Sequence, residues 1–149
     1  MNNSISIEHL TDYSESDAHD LGLLLAQLNT ESDGAPISAE KINFIINSPT
    51  IVQLVARDNG RIIGAATLSI VAKIAKPNVG YLEEFVVDKQ YRGQGISQKI
   101  WQAMLDWGAE NQLEALEFTS SYAKIAAHKF YLKNNAEIRD TAHFIKKIQ

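Results

Sequence analysis

Two closely spaced glycines mark the part of this sequence whose residue types best suit ligand binding. Gly93 and Gly95 lie in the run Y-R-G-Q-G-I-S, after a strand-like E-F-V-V and before an amphipathic stretch. Glycine adopts backbone angles closed to other residues and lets a ligand come close to main-chain N–H groups. A helix that begins here would add unpaired N–H groups and the positive end of its dipole. The pattern is typical of an anion site, most often one for phosphate.

Two familiar phosphate-binding patterns do not fit this stretch. A dinucleotide fingerprint requires a third glycine at position 98, where this chain has Gln98. The P-loop pattern G-x-x-x-x-G-K-S/T is absent from the sequence, which argues against a kinase or a GTPase. What remains is a turn whose successive N–H groups, from Gly93 to Ser97, can hold a pyrophosphate with Arg92 at its edge.

Two helices are predicted before the glycines. Ser14 and Asp17 resemble a capping box, and apolar residues recur behind them at helical spacing. The polar stretch 30–36 ends this helix, and Ser38 can cap a second helix that runs through Ile46.

The middle of the chain has the pattern of a hairpin followed by a crossover. Strand-like residues 51–57 and 61–71 flank D-N-G, whose Asn-Gly pair supplies the positive φ angles of a tight turn. Another strand is predicted over 81–87, then a helix from the glycines to near Asn111, then a strand over 113–119. Strand, helix, strand is a crossover unit, so the last two strands are expected to be parallel neighbours.

A further helix over 123–133, stopped in a left-handed conformation by Asn134 and Asn135, and a strand over 138–148 complete the predicted elements. Together they indicate an α+β fold that is mostly antiparallel, with one parallel crossover in the middle.

Length and composition predict one soluble domain. The 149 residues, 45% of them hydrophobic, can build one core over 1–149. The net charge of −4 argues against a nucleic-acid partner. The absence of cysteine excludes disulfides, thiolate metal sites and a cysteine nucleophile, and we predict no metal site. The first residues do not resemble a signal peptide, and no apolar run has membrane-spanning length, so we expect a cytoplasmic protein without a membrane partner.

The chain resembles the GNAT superfamily of acyl-CoA-dependent N-acyltransferases. The family signature, Arg/Gln-x-x-Gly-x-Gly/Ala, is matched from Arg92 through Gly95, with Ser97 in place of the last small residue. An overlapping register from Gln90 to Gly95 matches fully. The stretches L-L-A-Q-L, D-N-G-R-I-I-G-A-A and A-A-H-K-F-Y also look like their GNAT counterparts. Three positions depart from the family pattern: Ser97, Lys124 where Asn or Arg is usual, and Ala136 where an aromatic residue is usual.

The resemblance implies a GNAT-like fold and an acetyl-CoA site. The expected sheet is mixed and mostly antiparallel, with about six or seven strands, a parallel pair in the middle and about four flanking helices. The residues that the resemblance assigns to acetyl-CoA binding are Phe85, Val86, Val87, Arg92, Gly93, Gln94, Gly95, Ile96, Ser97 and Lys124. Homodimers are common in the family, so a homodimer is one expectation.

The resemblance also implies catalytic roles. An alkyl ammonium has a pKa of about 10 and must lose a proton before it attacks a thioester. Adjacent strand residues point to opposite faces, so only one of Glu83 and Glu84 can face the acceptor, and the matching position is Glu83. Tyr131 matches the tyrosine that protonates the leaving thiolate. A backbone N–H among Phe85, Val86 and Val87 is expected to stabilise the carbonyl oxygen.

The acceptor is left open by the sequence. In the family the loop 30–37 and the helix after it build the acceptor pocket, so Glu31 and Asp33 are candidates to attract a cationic amine. A small metabolite, a polyamine, an antibiotic and a protein all remain possible acceptors. Two other functions also remain: a non-catalytic acyl-CoA-binding or sensing domain, and a small interaction module whose glycines only form a turn.

Overall fold

The computed structural model describes residues 4–29 and 31–149. They form two compact units, Met1–Phe118 and Thr119–Gln149, which are described separately. Thr30, at the start of the predicted helix break, and residues 1–3, which belong to the stretch compared with a signal peptide, lie outside the described part. The single-domain interpretation stays a prediction.

The larger unit contains a mixed sheet of five strands within the described residues. In chain order, which is also their order in the sheet, they are β1 (Ile5–His9), β2 (Ile51–Asp58), β3 (Arg61–Val71), β4 (Val79–Val87) and β5 (Leu116–Glu117). Strands β1 to β4 are antiparallel neighbours, and β5 is parallel to β4 through Gly80 and Tyr81. The predicted α+β fold and its parallel crossover are confirmed, although the sheet has five strands and the parallel pair lies at its edge.

The turn between β2 and β3 has the predicted conformation. Asn59 has a φ of 50° and Gly60 a φ of 85°, so both occupy the left-handed region that this kind of two-residue turn requires. The hairpin prediction is therefore confirmed by its backbone angles as well as by its register, in which Asp58 faces Arg61.

Helices cover both faces of the sheet. Helices α1 (Glu15–Leu28) and α2 (Ala39–Ile46) are capped by Ser14 and Ser38, whose hydroxyl oxygens each accept a backbone N–H bond of 3.1 Å. On their side of the sheet, Leu21, Ile42, Ala65 and Val86 belong to one buried cluster. Helix α3 (Ile96–Glu110) covers the opposite face, where a Cβ on Gly64 would lie 2.9 Å from the Ile100 side chain. The described part of the chain includes no helix that is long and apolar enough to cross a membrane.

The smaller unit is built around one helix, α4 (Ile125–Lys133). Asn135 follows it with a φ of 66°, and the N–H of Ala136 donates to the carbonyl of Tyr131, so the predicted left-handed stop is confirmed. The strand predicted over 138–148 is wrong, because the structure assigns no regular element there and those side chains are exposed. A strand needs a neighbour to satisfy its N–H and C=O groups, which apolar content alone does not supply.

Candidate functional site

Between its paired positions Leu82 and Phe85, strand β4 has two residues, Glu83 and Glu84, where the facing stretch of β3 has one. Leu82 faces Leu68 and Phe85 faces Ala66, so Thr67 alone is opposite both Glu83 and Glu84. This two-against-one arrangement is a β-bulge, which re-aims the side chains of the bulged strand.

The bulge changes the face on which Glu84 lies. Directly opposite residues share a face, so Leu82 lies on the face of Leu68, and Val86 on that of Ala65. Ala65 and Leu68 are three residues apart on β3 and point to opposite faces. Regular alternation would keep residues 82, 84 and 86 together, but the bulge places Glu84 with Val86, beneath α1 and α2.

Glu84 thereby lines a cavity of about 330 Å³ between the sheet and the first two helices, here called the α1–α2 cavity. Most of the lining is apolar: Leu10, Leu21, Leu25, Ile37, Ile42, Phe44, Ile45, Ile46 and Ala65. The polar lining residues are Lys41, Gln53, Thr67 and Glu84.

Gln53 and Thr67 use their hydrogen-bonding groups inside the sheet. The Thr67 hydroxyl donates to Oε1 of Gln53 at 2.7 Å. Nε2 of Gln53 donates to the carbonyls of Leu54 and Ala66, both at 3.2 Å. The amide oxygen and the amide nitrogen of Gln53 therefore both have hydrogen-bond partners within the sheet. Neither group is left to bind a ligand.

The Glu84 carboxyl is the one acidic group among the described lining residues of the cavity. Burial raises its pKa, the neighbouring charge of Glu83 raises it further, and the charge of Lys41 opposes the rise. No described residue donates a hydrogen bond to this carboxyl. A half-buried carboxylate without a donor gains from accepting a proton, which is what a general base requires.

Glu83 lies elsewhere. Its side chain is exposed, and it is not part of the cavity lining. The role predicted for Glu83 stays a prediction, while the cavity brings in Glu84, which the sequence reasoning passed over. The bulge is set by the pairing of two strands, and the pattern of β4 alone carried no signal of it.

The glycine loop leads from β4 into α3. Gly93 and Gly95 each have a φ of 79°, and Gly95 is the residue that precedes the first turn of α3. A Cβ on either glycine would meet no described atom within 4 Å, so backbone conformation rather than crowding requires glycine, and the space beside the loop is open. Exposed N–H groups at a helix start, next to open space, fit a pyrophosphate.

The other predicted loop residues are arranged around this backbone. Arg92 and Gln94 are exposed, and Ser97 is half-buried. Ile96 is buried as part of the hydrophobic core. Their contact with acetyl-CoA stays a prediction.

The approach to the loop is held by residues that the sequence reasoning missed. The Asp88 carboxylate accepts the N–H of Gln90 at 2.9 Å and a longer bond of 3.3 Å from Arg61. The Tyr91 hydroxyl donates to Asp58 at 2.7 Å, and this bond raises the pKa of Tyr91. An aspartate just before a turn is a capping signal that could have identified Asp88.

Phe85, Val86 and Val87 occupy the end of β4 beyond the parallel pair. Strand β5 pairs only with Gly80 and Tyr81, so within the described strands the later part of β4 pairs with β3 alone. The role predicted for a backbone N–H of Phe85, Val86 or Val87 stays a prediction.

Glu31 and Asp33 do not line the α1–α2 cavity. Both are exposed, the Glu31 N–H donates to the Asn29 side chain at 2.8 Å, and the Asp33 carboxylate accepts the N–H of Ala35 at 2.9 Å. Their predicted role in attracting an amine stays a prediction, and the hydrogen bonds give them a local role in shaping the loop.

Lys124 and Tyr131 belong to the smaller unit. Lys124 is exposed at the start of α4. Tyr131 is half-buried beside Phe130, with ring centroids 5.9 Å apart, and burial raises the pKa of its hydroxyl. A raised pKa keeps this hydroxyl protonated, as a proton donor requires. In the described part of the chain, no group of three or more His, Asp or Glu side chains is placed to hold a metal ion.

Comparison with known proteins identifies close similarities in sequence and fold. N-alpha-acetyltransferase 30 of Schizosaccharomyces pombe is 28% identical over 107 residues, which are 72% of this chain and 71% of that protein. The aminoglycoside acetyltransferase meta-AAC0020 from an uncultured soil metagenomic sample, in complex with sisomicin, superposes with a TM-score of 0.81 at 20% identity, covering 99% of this chain and 98% of its own. AAC(6')-Iy, in complex with the bisubstrate analogue CoA-S-monomethyl-acetylneamine, superposes with a TM-score of 0.75 at 20% identity, covering 96% and 97%.

The solved structures establish the fold, and a family model goes further. The model of the acetyltransferase (GNAT) family matches residues 12–135, which include both glutamates, the glycine loop and α4. The chain therefore belongs to the GNAT family of acetyltransferases.

Proposed function

We propose that this protein transfers an acetyl group from acetyl-CoA to a primary amine by direct attack within a ternary complex. The observation that carries the proposal is the position of Glu84. A carboxyl with a raised pKa, and with no hydrogen-bond donor among the described residues, faces the α1–α2 cavity on the same strand that leads into the glycine loop.

The glycine loop binds the cofactor, and Glu84 acts on the acceptor amine. Acetyl-CoA supplies an acetyl group on a thioester, and the N–H groups from Gly93 to Ser97 hold its pyrophosphate at the start of α3. Glu84 takes a proton from the ammonium group of the acceptor, directly or through water. Glu83, the base expected from the resemblance, is the competing candidate.

The later steps use a strand edge and a tyrosine. A backbone N–H among Phe85, Val86 and Val87 donates to the carbonyl oxygen as that oxygen gains negative charge. Tyr131, kept protonated by its raised pKa, donates a proton to the departing sulfur. The chain has no cysteine, which is consistent with direct transfer rather than a thiol-bound acyl group on the protein.

Calorimetric titration of Gly95→Ala with acetyl-CoA tests the cofactor loop. Alanine disfavours the φ of 79° by about 1–2 kcal/mol and should weaken acetyl-CoA binding by about five- to thirtyfold. Gly60→Ala is a matched control, because Gly60 has a φ of 85°, similarly open surroundings and a position in the β2–β3 turn. Equal affinity for Gly95→Ala and wild type would contradict the placement of the pyrophosphate.

Initial rates of thiol release with an amine acceptor test the base. Glu84→Gln should lower kcat/KM by about a hundredfold or more, whereas Glu83→Gln should change it little. Because the Glu84 pKa is raised, the wild-type rate should begin to fall with acidification at a higher pH than an ordinary carboxyl would give. A loss confined to Glu83→Gln would assign the base to Glu83, and acetyl-CoA binding without turnover of any amine would establish a sensing domain instead.

A further inference from the structure

The α1–α2 cavity restricts which amines can be acceptors. We propose that the acceptor is a primary amine with a single positive charge, carried on an apolar body such as an aliphatic or aromatic group. This inference rests on the proposed function, since it takes the α1–α2 cavity as the place where the acceptor binds.

The walls of the cavity favour an apolar body. The lining includes aliphatic residues of α1, α2 and β3, among them Leu21, Ile42 and Ala65, which also belong to the buried core. Burying apolar surface stabilises a complex roughly in proportion to the area removed from water. The volume of about 330 Å³ lies at the small end of the usual range for small-molecule sites, about 300–1,000 Å³. A compact apolar group therefore suits this cavity better than a large polar one.

The charges in the cavity suit one ammonium group. Among the described lining residues, Glu84 is the one acid and Lys41 the one base. Gln53 and Thr67 are already bonded to each other and to backbone carbonyls. A second ammonium group would lose its hydration without meeting a carboxylate, which is strongly unfavourable.

The opening of the cavity reinforces this selection. Lys41 and Phe44 are lining residues that are also exposed, so they border the entrance. The charge of Lys41 already acts on Glu84 and repels additional cations. The Phe44 ring, 67% exposed, offers an apolar contact at the entrance. Polyamines and aminoglycosides carry several ammonium groups, which several carboxylates would stabilise. This cavity instead offers them one carboxylate, a lysine at its entrance and apolar walls.

The two loop acids expected to attract a cationic amine do not alter this conclusion. Glu31 and Asp33 are exposed and lie outside the cavity lining. The Asp33 carboxylate also accepts the N–H of Ala35 within its own loop.

The test uses the full-length protein saturated with coenzyme A, titrated with 4-phenylbutylamine and separately with spermidine. Calorimetry should show 4-phenylbutylamine binding at least about tenfold more tightly than spermidine. Rates with acetyl-CoA should show the same order in kcat/KM. Binding is measured apart from turnover. If neither amine is acetylated, the proposed function fails, whereas the calorimetric affinities still show which amine the cavity prefers.

An apolar amine and a peptide whose first residue is apolar present the same chemistry. A short peptide beginning with leucine, compared with one beginning with glutamate, distinguishes these sources. Tighter binding of the leucine peptide than of 4-phenylbutylamine would indicate a peptide acceptor, and the reverse order would indicate a free amine. Either result supports the proposal if spermidine remains the weaker ligand.

Two exposed residues allow variants that spare the core. Lys41→Glu adds an acid at the entrance and should narrow the gap between spermidine and 4-phenylbutylamine by about tenfold. Phe44→Ala should raise the KM for 4-phenylbutylamine about three- to tenfold. Leu105→Ala is the control for Phe44→Ala, because Leu105 is an exposed apolar residue of α3 and is not a lining residue.

The proposal is overturned if spermidine binds the coenzyme A-saturated protein as tightly as 4-phenylbutylamine, or if neither amine binds. It is equally overturned if Phe44→Ala and Leu105→Ala have the same effect on the apolar amine.

Discussion

At the scale of single residues, the two adjacent glutamates of β4 show how environment separates chemically identical groups. Glu83 is exposed, whereas Glu84 is half-buried in an apolar cavity and has a raised pKa. Their difference comes from one extra residue in the strand, which turns Glu84 toward α1 and α2. A group that ionises reluctantly in the free protein is well suited to accept a proton from a bound amine.

The cost of ionising Glu84 should be visible in the pH dependence of stability. Its folded-state pKa is above the unfolded value, so its stabilising contribution is present below the unfolded pKa and is lost as the pH rises through the folded pKa. Glu84→Gln should therefore gain in free energy of unfolding, relative to wild type, as the pH rises from below the unfolded pKa of Glu84 through its higher folded pKa. Urea denaturation at several pH values measures this difference.

Glu83→Gln is the control for that series. It removes only the neighbouring charge that contributes to the raised pKa of Glu84, so its gain over the same pH range should be smaller. A relative stability of Glu84→Gln that is independent of pH would contradict the burial argument.

At the scale of elements, a close contact between α1 and the loop before α2 shapes the α1–α2 cavity. A Cβ on Gly22 would lie 2.0 Å from the carbonyl oxygen of Ala35, so the loop can reach α1 only because residue 22 is glycine. The N–H of Ile37 donates to the carbonyl of Ala18 at 3.0 Å, and Ile37 itself lines the cavity. The loop is thus fixed at two points beside the α1–α2 cavity.

Replacing this glycine should disturb the loop and the cavity together. Gly22→Ala should lower the free energy of unfolding by about 1–3 kcal/mol, because a backbone atom must move to accommodate the methyl group. It should also weaken amine binding while leaving acetyl-CoA affinity unchanged. Thermal denaturation and the two titrations measure these effects.

Gly108→Ala provides the matched control. Gly108 is also a buried helical glycine, but its added Cβ would lie no closer than 3.8 Å to any described neighbour outside the helix. Alanine has the higher helix propensity, so this variant should be neutral or more stable. Similar destabilisation of both variants would show that the contact with Ala35 is not the cause.

At the scale of the whole molecule, burial is distributed unevenly between the two units. The larger unit contains the buried core, including Leu54, Ile63 and Met104, whereas no residue over 119–149 is buried. Homodimer formation stays a prediction from the family resemblance.

This distribution predicts a gradient of local stability. Backbone amides over 52–56 and 62–68 should exchange with deuterium far more slowly than those over 137–149. The free energy of local opening is small where few groups are buried. Hydrogen exchange read by mass spectrometry measures the difference. Protection over 138–148 equal to that of β3 would contradict the prediction and would reinstate the strand expected from the sequence.

The sequence by itself determined the local elements and the loop between β4 and α3. Capping by Ser14 and Ser38, the turn at Asn59 and Gly60, and the left-handed glycines at 93 and 95 depend on neighbouring residues, and all have the predicted conformation. The parallel pairing of β4 and β5 followed from the crossover rule. These features involve short-range geometry or general rules of chain topology.

Only the tertiary structure decided which glutamate enters the cavity and where the chain forms strands. The bulge at Glu83 and Glu84 arises from the register between two strands, so the alternation of β4 taken alone could not reveal it. The apolar residues over 138–148 suggested a strand, yet strand formation depends on a partner rather than on composition. The polarity of the α1–α2 cavity likewise comes from residues far apart in the chain, which only folding brings together.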